Sequence, residues 1–352
     1  MQPKKLSFPE DHKQHDATIE WWYYNGHLQD AEGNKYSFMD CLFRADIERA
    51  KIPYLSNLPL GKVFGKGRHA YSAHSILTNI ALNRNHKELQ HASIVSNDSF
   101  VGERLFVDYI DPIIMHGFVN NIIEETGDDI FHIKTSYVDL KLESRKPMLL
   151  ENGNGFVTVC GRGSYYYSLT DMETSGSILF EGKRIEVTGR SWMDHQWSDA
   201  TVKLDKWSWF SLQLDDGTDI MCCEYDNGKT VDYLVDIISK SGKSHHFKSL
   251  IVKRGSEVWK SEKTSAVYPM TWDIEIPEFD AKFKVTSQVT DHEMIFMAIN
   301  YWEGPIEVEG MIGGKEVAGT GFMELVGYPA DYHYLLSFGK EVGKKLLSGS
   351  NE

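Results

Sequence analysis

Two stretches of the chain set carboxylates among unusually dense aromatic rings. The first, TIEWWYYNGHLQDAEGNKYSFMDCLFRAD, begins at Thr18. It places Glu20 before Trp21, Trp22, Tyr23 and Tyr24, with Asp40 in the apolar run beyond a turn. The second, GRSWMDHQWSD, runs from Gly189 to Asp199 and brings Trp192, Asp194, His195 and Trp197 together. A carboxyl group enclosed by aromatic carbon loses its hydration. Burial can raise its pKa by up to about 3–5 units, so that it keeps a proton near neutral pH. Such an acid can protonate an isolated C=C bond. Aromatic faces then stabilise the cation by about 2 kcal/mol or more each when desolvated, and general-acid catalysis contributes about 10²–10⁴-fold. The same composition suits a cavity that shapes a polyene for a pericyclic step, where orientation dominates. It also suits a non-catalytic lipophile binder, which would need the rings but not the acids.

Each residue has a plainer use as well. Glu20 can pair with Arg44 and close one end of a barrel. Asp40 can be an edge-exposed carboxylate. Asp194 and His195 can hydrogen-bond a corner loop while Trp192 and Trp197 pack. Tyr165, Tyr166 and Tyr167, in GRGSYYYSLTD, can line a cavity or simply fill a core or an interface.

Those residues must be positioned by strands. Alternate residues of a strand share a face, so Glu20, Trp22 and Tyr24 point one way and Trp21, Tyr23 and Asn25 the other. If AEG is a three-residue loop with Gly33 near its left-handed position, Glu20 lies opposite Arg44 and Tyr24 opposite Asp40. Trp21 and Tyr23 then share a dry core face with Met39, Cys41 and Phe43. The Glu20 face mixes rings with charge, as a ligand pocket or a solvated wall would. Asp194 and His195 point to opposite faces of an extended chain, so one site can use both only if the backbone bends there.

The rest of the chain bounds the problem. Its 352 residues suggest about two domains. A formal charge of −14 argues against nucleic acid or an anionic membrane surface as partner. No apolar run is long enough for a transmembrane helix. The N-terminus, MQPKKLSFPEDHKQHD, has no signal core, so a cytoplasmic location is expected. Cys41, Cys160, Cys222 and Cys223 form neither a disulfide framework nor a zinc ribbon, and reduced thiols are expected. DHEMIF is not H-E-x-x-H, and SHHF and DHKQH lack further ligands at sensible spacing, so no metal is expected. No dinucleotide cradle, P-loop or G-x-S-x-G elbow is present, and no cofactor is expected. Oligomeric state is left open.

Nearly every segment reads as strand. Runs such as KWSWFSLQLDDGTDIMCCEYDNG alternate β-branched or aromatic residues with turn signals. Helical periodicity is weak outside the C-terminal GKEVGKKLLSG. The expected fold is all-β, built of antiparallel barrels with a large interior. A loose repeat supports two of them. Trp21-Trp22-Tyr23, Leu28, an acidic turn and Asp40 match Trp207-Ser208-Trp209, Leu214, an acidic turn and Glu224. The expected domains are residues 1–198 and 199–352.

Six motifs occur in one order: TIEWWYYNGHL, YSAHSILTN with His74, GRGSYYYSL, GRSWMDHQW, WSWFSLQLDDG, and YWEG with GTGFMELVGYP. In this the chain resembles the lipocalin-like carotenoid 1,2-hydratase and AttH group, which is related to kievitone hydratase and fungal Diels–Alderases. The resemblance implies two lipocalin-like β-barrel domains with an apolar pocket at or between them. It implies a His-x-Trp pair at His195 and Trp197. A second pair, Tyr-x-Asp in the carotenoid hydratases, falls by spacing on Cys222 and Glu224. Both positions depart from that pattern, but an acid is kept. Three functions follow as alternatives: a hydratase or isomerase protonating a terpenoid- or polyketide-like substrate, a pericyclase, or a lipophile-binding protein. Asp194 and Glu224 are the expected acids, with His195 orienting or activating water. Glu20, Trp22, Tyr24, Asp40, His74, Tyr166, Trp192, Trp197 and Cys222 are the expected lining of an apolar small-molecule pocket, which should be the largest enclosed one in the protein.

Overall fold

The computed structural model describes residues 3–50, 69–95, 103–109, 121–200, 205–296 and 299–331. The weakly helical C-terminus lies outside them. Within them helix is limited to one turn, Ile47–Ala50, and three 3-10 turns. The fold is all-β, as the alternating sequence requires.

The first sheet is built from β1 (Ile19–Asp30), β2 (Lys35–Asp46), β3 (His69–Asn79), β4 (Arg84–Val95), β5 (Phe106–Tyr109), β6 (Asn121–Gly127), β7 (Ile130–Lys134), β8 (Val138–Ser144), β9 (Leu149–Leu150), β10 (Phe156–Val159), β11 (Arg162–Phe180) and β12 (Lys183–Ser198). Its strand order is β4-β3-β2-β1-β12-β11-β8-β7-β6-β5, with β9 and β10 on β11. The second is built from β13 (Lys206–Leu214), β14 (Asp219–Asp226), β15 (Val231–Ile238), β16 (Ser244–Phe247), β17 (Ile251–Arg254), β18 (Val258–Lys260), β19 (Val267–Pro269), β20 (Thr271–Ile276), β21 (Ala281–Ser287), β22 (Glu293–Phe296), β23 (Ile299–Ile312) and β24 (Lys315–Val326). Its order is β16-β15-β14-β13-β24-β23-β21-β20-β17, with β22 on β23; β18 and β19 pair separately.

Each sheet curls around its own core. Phe38, Leu42 and Leu77 from one end of the first sheet meet Val107, Ile123 and Phe131 from the other in a single apolar cluster. In the second sheet, Phe210, Cys222 and Val235 meet Trp272, Ile274 and Phe283. The result is two lipocalin-like antiparallel barrels. A third cluster lies between them, where Tyr23, Met39, Cys41, Tyr166 and Trp192 pack on Trp209, Met221, Cys223, Tyr301 and Phe322. The face of β1 read from sequence as simple dry core is therefore the joint between the two barrels.

The register of the opening hairpin follows the sequence pattern. Glu20 pairs with Arg44 and Tyr24 with Asp40, and Gly33 takes a φ of 86° in the turn, which glycine adopts without a Cβ penalty. The repeat is visible in the topology. In each sheet the first strand lies between the second and the last. A Cβ on Gly189 of β12 would sit 2.0 Å from the carbonyl oxygen of His27 and 2.9 Å from Cα of Leu28. A Cβ on Gly319 of β24 would sit 2.4 Å from the carbonyl of Gln213 and 2.9 Å from Cα of Leu214. Leu28 and Leu214 thus hold the same place.

The repeat corrects one match. Tyr23 pairs with Cys41 and Asp194, and Trp209 pairs with Cys223 and Glu324. The equivalent acids are Asp194 and Glu324. Asp40, opposite Tyr24, corresponds to Cys222, opposite Phe210, rather than to Glu224.

Candidate active site

The acid–imidazole pair of the sequence is split by its strand. β12 stays in continuous register with β1 through Trp22↔His195 and Tyr23↔Asp194. With no bend there, His195 faces the first barrel's interior and Asp194 faces the joint. Glu224 is in a third place. It shares a face with Cys222, a member of the second core, and is half-buried opposite Ser208 and Tyr233. The three expected catalytic residues do not converge.

Inside the first barrel, His195 belongs to a closed network. The Glu20 carboxylate accepts from the His15 backbone N–H at 3.0 Å, His15 Nδ1 at 2.7 Å, His195 Nε2 at 3.0 Å and Arg44 Nη1 at 3.2 Å. His15 Nε2 reaches Asp11 at 2.9 Å, and the Tyr167 hydroxyl reaches His195 Nδ1 at 3.0 Å. Trp22 stacks on His195, and Trp197 stacks on His15 at 3.7 Å between ring centroids. Burial opposes the charge on Glu20, but His15 and His195 overcome it and hold the carboxyl down at about 2. Burial also drives the His195 imidazole down to about 4, against the pull of Glu20. His15 is raised, because its bonds to Asp11 and Glu20 outweigh desolvation. The network is a carboxylate saturated by donors, and none of its acids holds a spare proton.

Ligand atoms of His15, Glu20 and His195 lie within 4.8 Å of one another, a spacing a metal ion could bridge. Their geometry is that of proton bonds instead. Each ring nitrogen facing Glu20 donates to it, and Arg44 already places a cation on the same carboxylate. Deeper in this barrel, Tyr24 is fully buried and Asp40 accepts from Ser75 Oγ at 2.6 Å. Asp40 is therefore no edge residue. Asp11, His12 and His15, the DHKQH stretch set aside in the sequence for want of further ligands, arrive from the irregular segment before β1, where strand periodicity does not show that Glu20 and His195 meet them.

The joint is chemically different. Asp194 is 4% exposed. It accepts from the Tyr166 hydroxyl at 2.5 Å and Trp192 Nε1 at 2.6 Å, and lies 2.6 Å from Ser168 Oγ. Trp209, from the second sheet, donates to the Tyr166 hydroxyl at 2.9 Å. Burial raises the Asp194 carboxyl to about 6, although its three partners pull it down. Glu324, bonded by Trp207 Nε1 at 3.0 Å, is pushed up to about 7 by burial. Glu303, opposite Glu324 in the ladder, is driven well above the carboxylate range by burial and by Glu324. His74 bonds and stacks on Tyr301 at the same joint. The Tyr23 hydroxyl is raised by burial and by the charges of Glu303, Glu324 and Asp194, so it sits among all three acids. Tyr23 and Glu303 hydrogen-bond each other there.

Of the expected lining, Tyr166, Trp192 and His74 thus gather with Asp194 at the joint. Glu20, Trp22, Tyr24, Asp40 and Trp197 face the first barrel, and Cys222 the second. Glu303 and Glu324 were missed, although YWEG and FMEL carry the same signal as EWWYY: one acid in an aromatic or apolar strand. A groove of about 950 Å³ lies outside on the second sheet, lined by Lys253, Asp273, Lys282, Lys284 and Glu309, and touches none of these residues.

Fold and site together define a protein of two lipocalin-like barrels meeting across an acidic, aromatic joint. The chain belongs to the AttH-like family, whose model it matches over residues 1–328. A solved AttH protein of Nitrosomonas europaea is 26% identical, with a TM-score of 0.75 over 93% of this chain and 100% of that one. Kievitone hydratase of Nectria haematococca shares the fold at 16% identity and a TM-score of 0.68, over 92% and 93% of the two chains. The dehydratase asqC of Emericella nidulans is 23% identical over 202 residues, 53% of this chain. The chain spans little more than half of that relative, 57% of its length. No helix among the described residues is long and apolar enough to cross a membrane.

Proposed function

We propose that the protein is a hydratase-type lyase, adding water to a C=C bond of an apolar substrate or removing it, at the joint between the barrels. The observation that carries this reading is Asp194: a carboxyl raised to about 6, held among Tyr166, Trp192 and Trp209. Hydration needs a proton donor and a surface that tolerates positive charge. The joint supplies both, whereas the Glu20 network supplies only a saturated anion. Asp194 protonates the double bond. Glu324, on the opposite wall with its carboxyl pushed up to about 7, is placed to take the proton released by the attacking water. Family membership supports the reading, with a hydratase and a dehydratase among the relatives. Reaching Asp194 requires the facing rings of the joint to part.

The test is a panel of terpenoid- and polyketide-like alkenes, kievitone among them, incubated in heavy-oxygen water and read by mass spectrometry for label uptake. On any compound turned over, Asp194→Asn is expected to lose about 10²-fold or more, with Glu224→Gln close to wild type. Full turnover by Asp194→Asn would overturn the assignment.

A further inference from the structure

An acid this deeply buried must recover its proton after each turnover, and Asp194, only 4% exposed, is nearly cut off from bulk water. One line of polar side chains leads away from it. Ser168 Oγ lies 2.6 Å from Asp194 Oδ1 and 2.8 Å from Glu151 Oε1. Ser168 and Glu151 are both fully buried. A hydroxyl has one proton to give, so bridging two carboxyls in this way requires one of them to be protonated.

The line then crosses to the second sheet. Glu151 hydrogen-bonds Asp236 of β15, which is also fully buried. Glu151 Oε2 and Asp236 Oδ2 have no N–H or O–H donor of their own, and one proton shared between the two carboxyls satisfies both. The other oxygen, Asp236 Oδ1, accepts from the Asn152 backbone N–H at 2.8 Å and from His246 Nδ1. The His246 side chain is 28% exposed. It is the only member of the line that reaches solvent. Two buried acids and a buried serine between a wet imidazole and a dry carboxyl have no packing rationale, since each costs desolvation.

We propose that His246, Asp236, Glu151 and Ser168 form a proton relay that reloads Asp194 from solvent; this rests on Asp194 being the acid. In one passage His246 takes a proton from water at Nε2 and gives its Nδ1 proton to Asp236. The proton shared by Asp236 and Glu151 moves fully to Glu151 Oε2, Glu151 Oε1 delivers one to Ser168 Oγ, and the Ser168 hydroxyl delivers its own to Asp194 Oδ1. Each transfer breaks one N–H or O–H bond and forms the next, and the sum moves one proton inward with no redox change. Burial, the charge of Asp236 and the bond to it keep Glu151 well above the carboxylate range, as a proton-bearing link requires.

Deuterium tests the relay without a substrate. At about pH 5, Asp194 is largely protonated, given its value of about 6. Its carbonyl stretch is identified as the infrared band that Asp194→Asn removes. On rapid mixing into D2O that band shifts as O–H becomes O–D. The relay requires the shift to slow roughly 10²-fold, the low end of what a positioned proton donor contributes, in His246→Gln and in Ser168→Ala. Free imidazole should restore the first, and Ser168→Thr the second. Amide exchange in β11 and β12, which reports opening of the joint, should stay unchanged. An unchanged rate in both variants, with the band present, overturns the relay and leaves Asp194 as the acid. If no band disappears in Asp194→Asn, the acid assignment itself fails, and the relay with it.

Discussion

Asp194 and Glu324 hold equivalent places in the two sheets. Each lies on its last strand opposite an aromatic residue of its first, Tyr23 or Trp209, and Asp194 helps to hold the Glu324 carboxyl up. The joint therefore has an acid on either wall, related by the internal repeat.

Stability should carry the signature of these acids. The Asp194 carboxyl is raised from 3.8 to about 6, so its contribution to folding is full below its unfolded value and is lost as pH rises through about 6. The loss is on the order of 3 kcal/mol at 1.36 kcal/mol per unit. Urea unfolding of Asp194→Asn should show the variant gaining stability on wild type by that order between about pH 4 and pH 8. A difference independent of pH would show that Asp194 is not desolvated.

The Glu20 network should behave in the opposite sense. Its carboxyl is lowered from 4.5 to about 2, so its contribution is present above the unfolded value and disappears as pH falls through about 2. Removing one partner of a buried ion pair costs about 3–5 kcal/mol. Glu20→Gln should lower thermal stability accordingly, because Arg44 is then buried without its carboxylate, while activity per folded molecule is kept. Lost activity at full stability would move the chemistry into the first barrel.

Thiol reactivity offers a cheap check on the packing. Cys41, Cys222 and Cys223 are buried, and burial raises their thiols well above the ordinary range, Cys222 to about 12. Cys160 is half-buried. A thiolate reagent should label Cys160 alone in the native protein and all four after unfolding. Rapid native labelling of Cys41 or Cys223 would mean that the joint is open.

Much of this was legible in the sequence. Alternation in EWWYY and FMDCLF set the faces of the first hairpin, and AEG with Gly33 set its register, so the Glu20–Arg44 pairing followed. The repeat was legible in Trp21 and Trp207, Leu28 and Leu214. Its acids were misread because the turn lies two residues farther from Leu28 than from Leu214, so that Asp40 and Glu224 are not on equivalent rungs, and strand pairing alone reveals Asp194 and Glu324. The joint was hidden for a different reason. Period-two alternation says that Tyr23 is buried, but not whether its own barrel or a second one buries it. Glu151 meets Asp236 across a long stretch of chain, and Asp11 and His15 sit in an irregular segment before β1; no strand pattern records either.

The most direct measurement is a titration of Asp194 by NMR, with aspartate labelled by carbon-13 at the side-chain carboxyl and the signal assigned by Asp194→Asn. An acid buried at the joint predicts a midpoint at about 6, moving higher in Tyr166→Phe, because the lost hydrogen bond stabilised the anion. A midpoint near the ordinary aspartate value of about 3.9, unmoved by Tyr166→Phe, would contradict it.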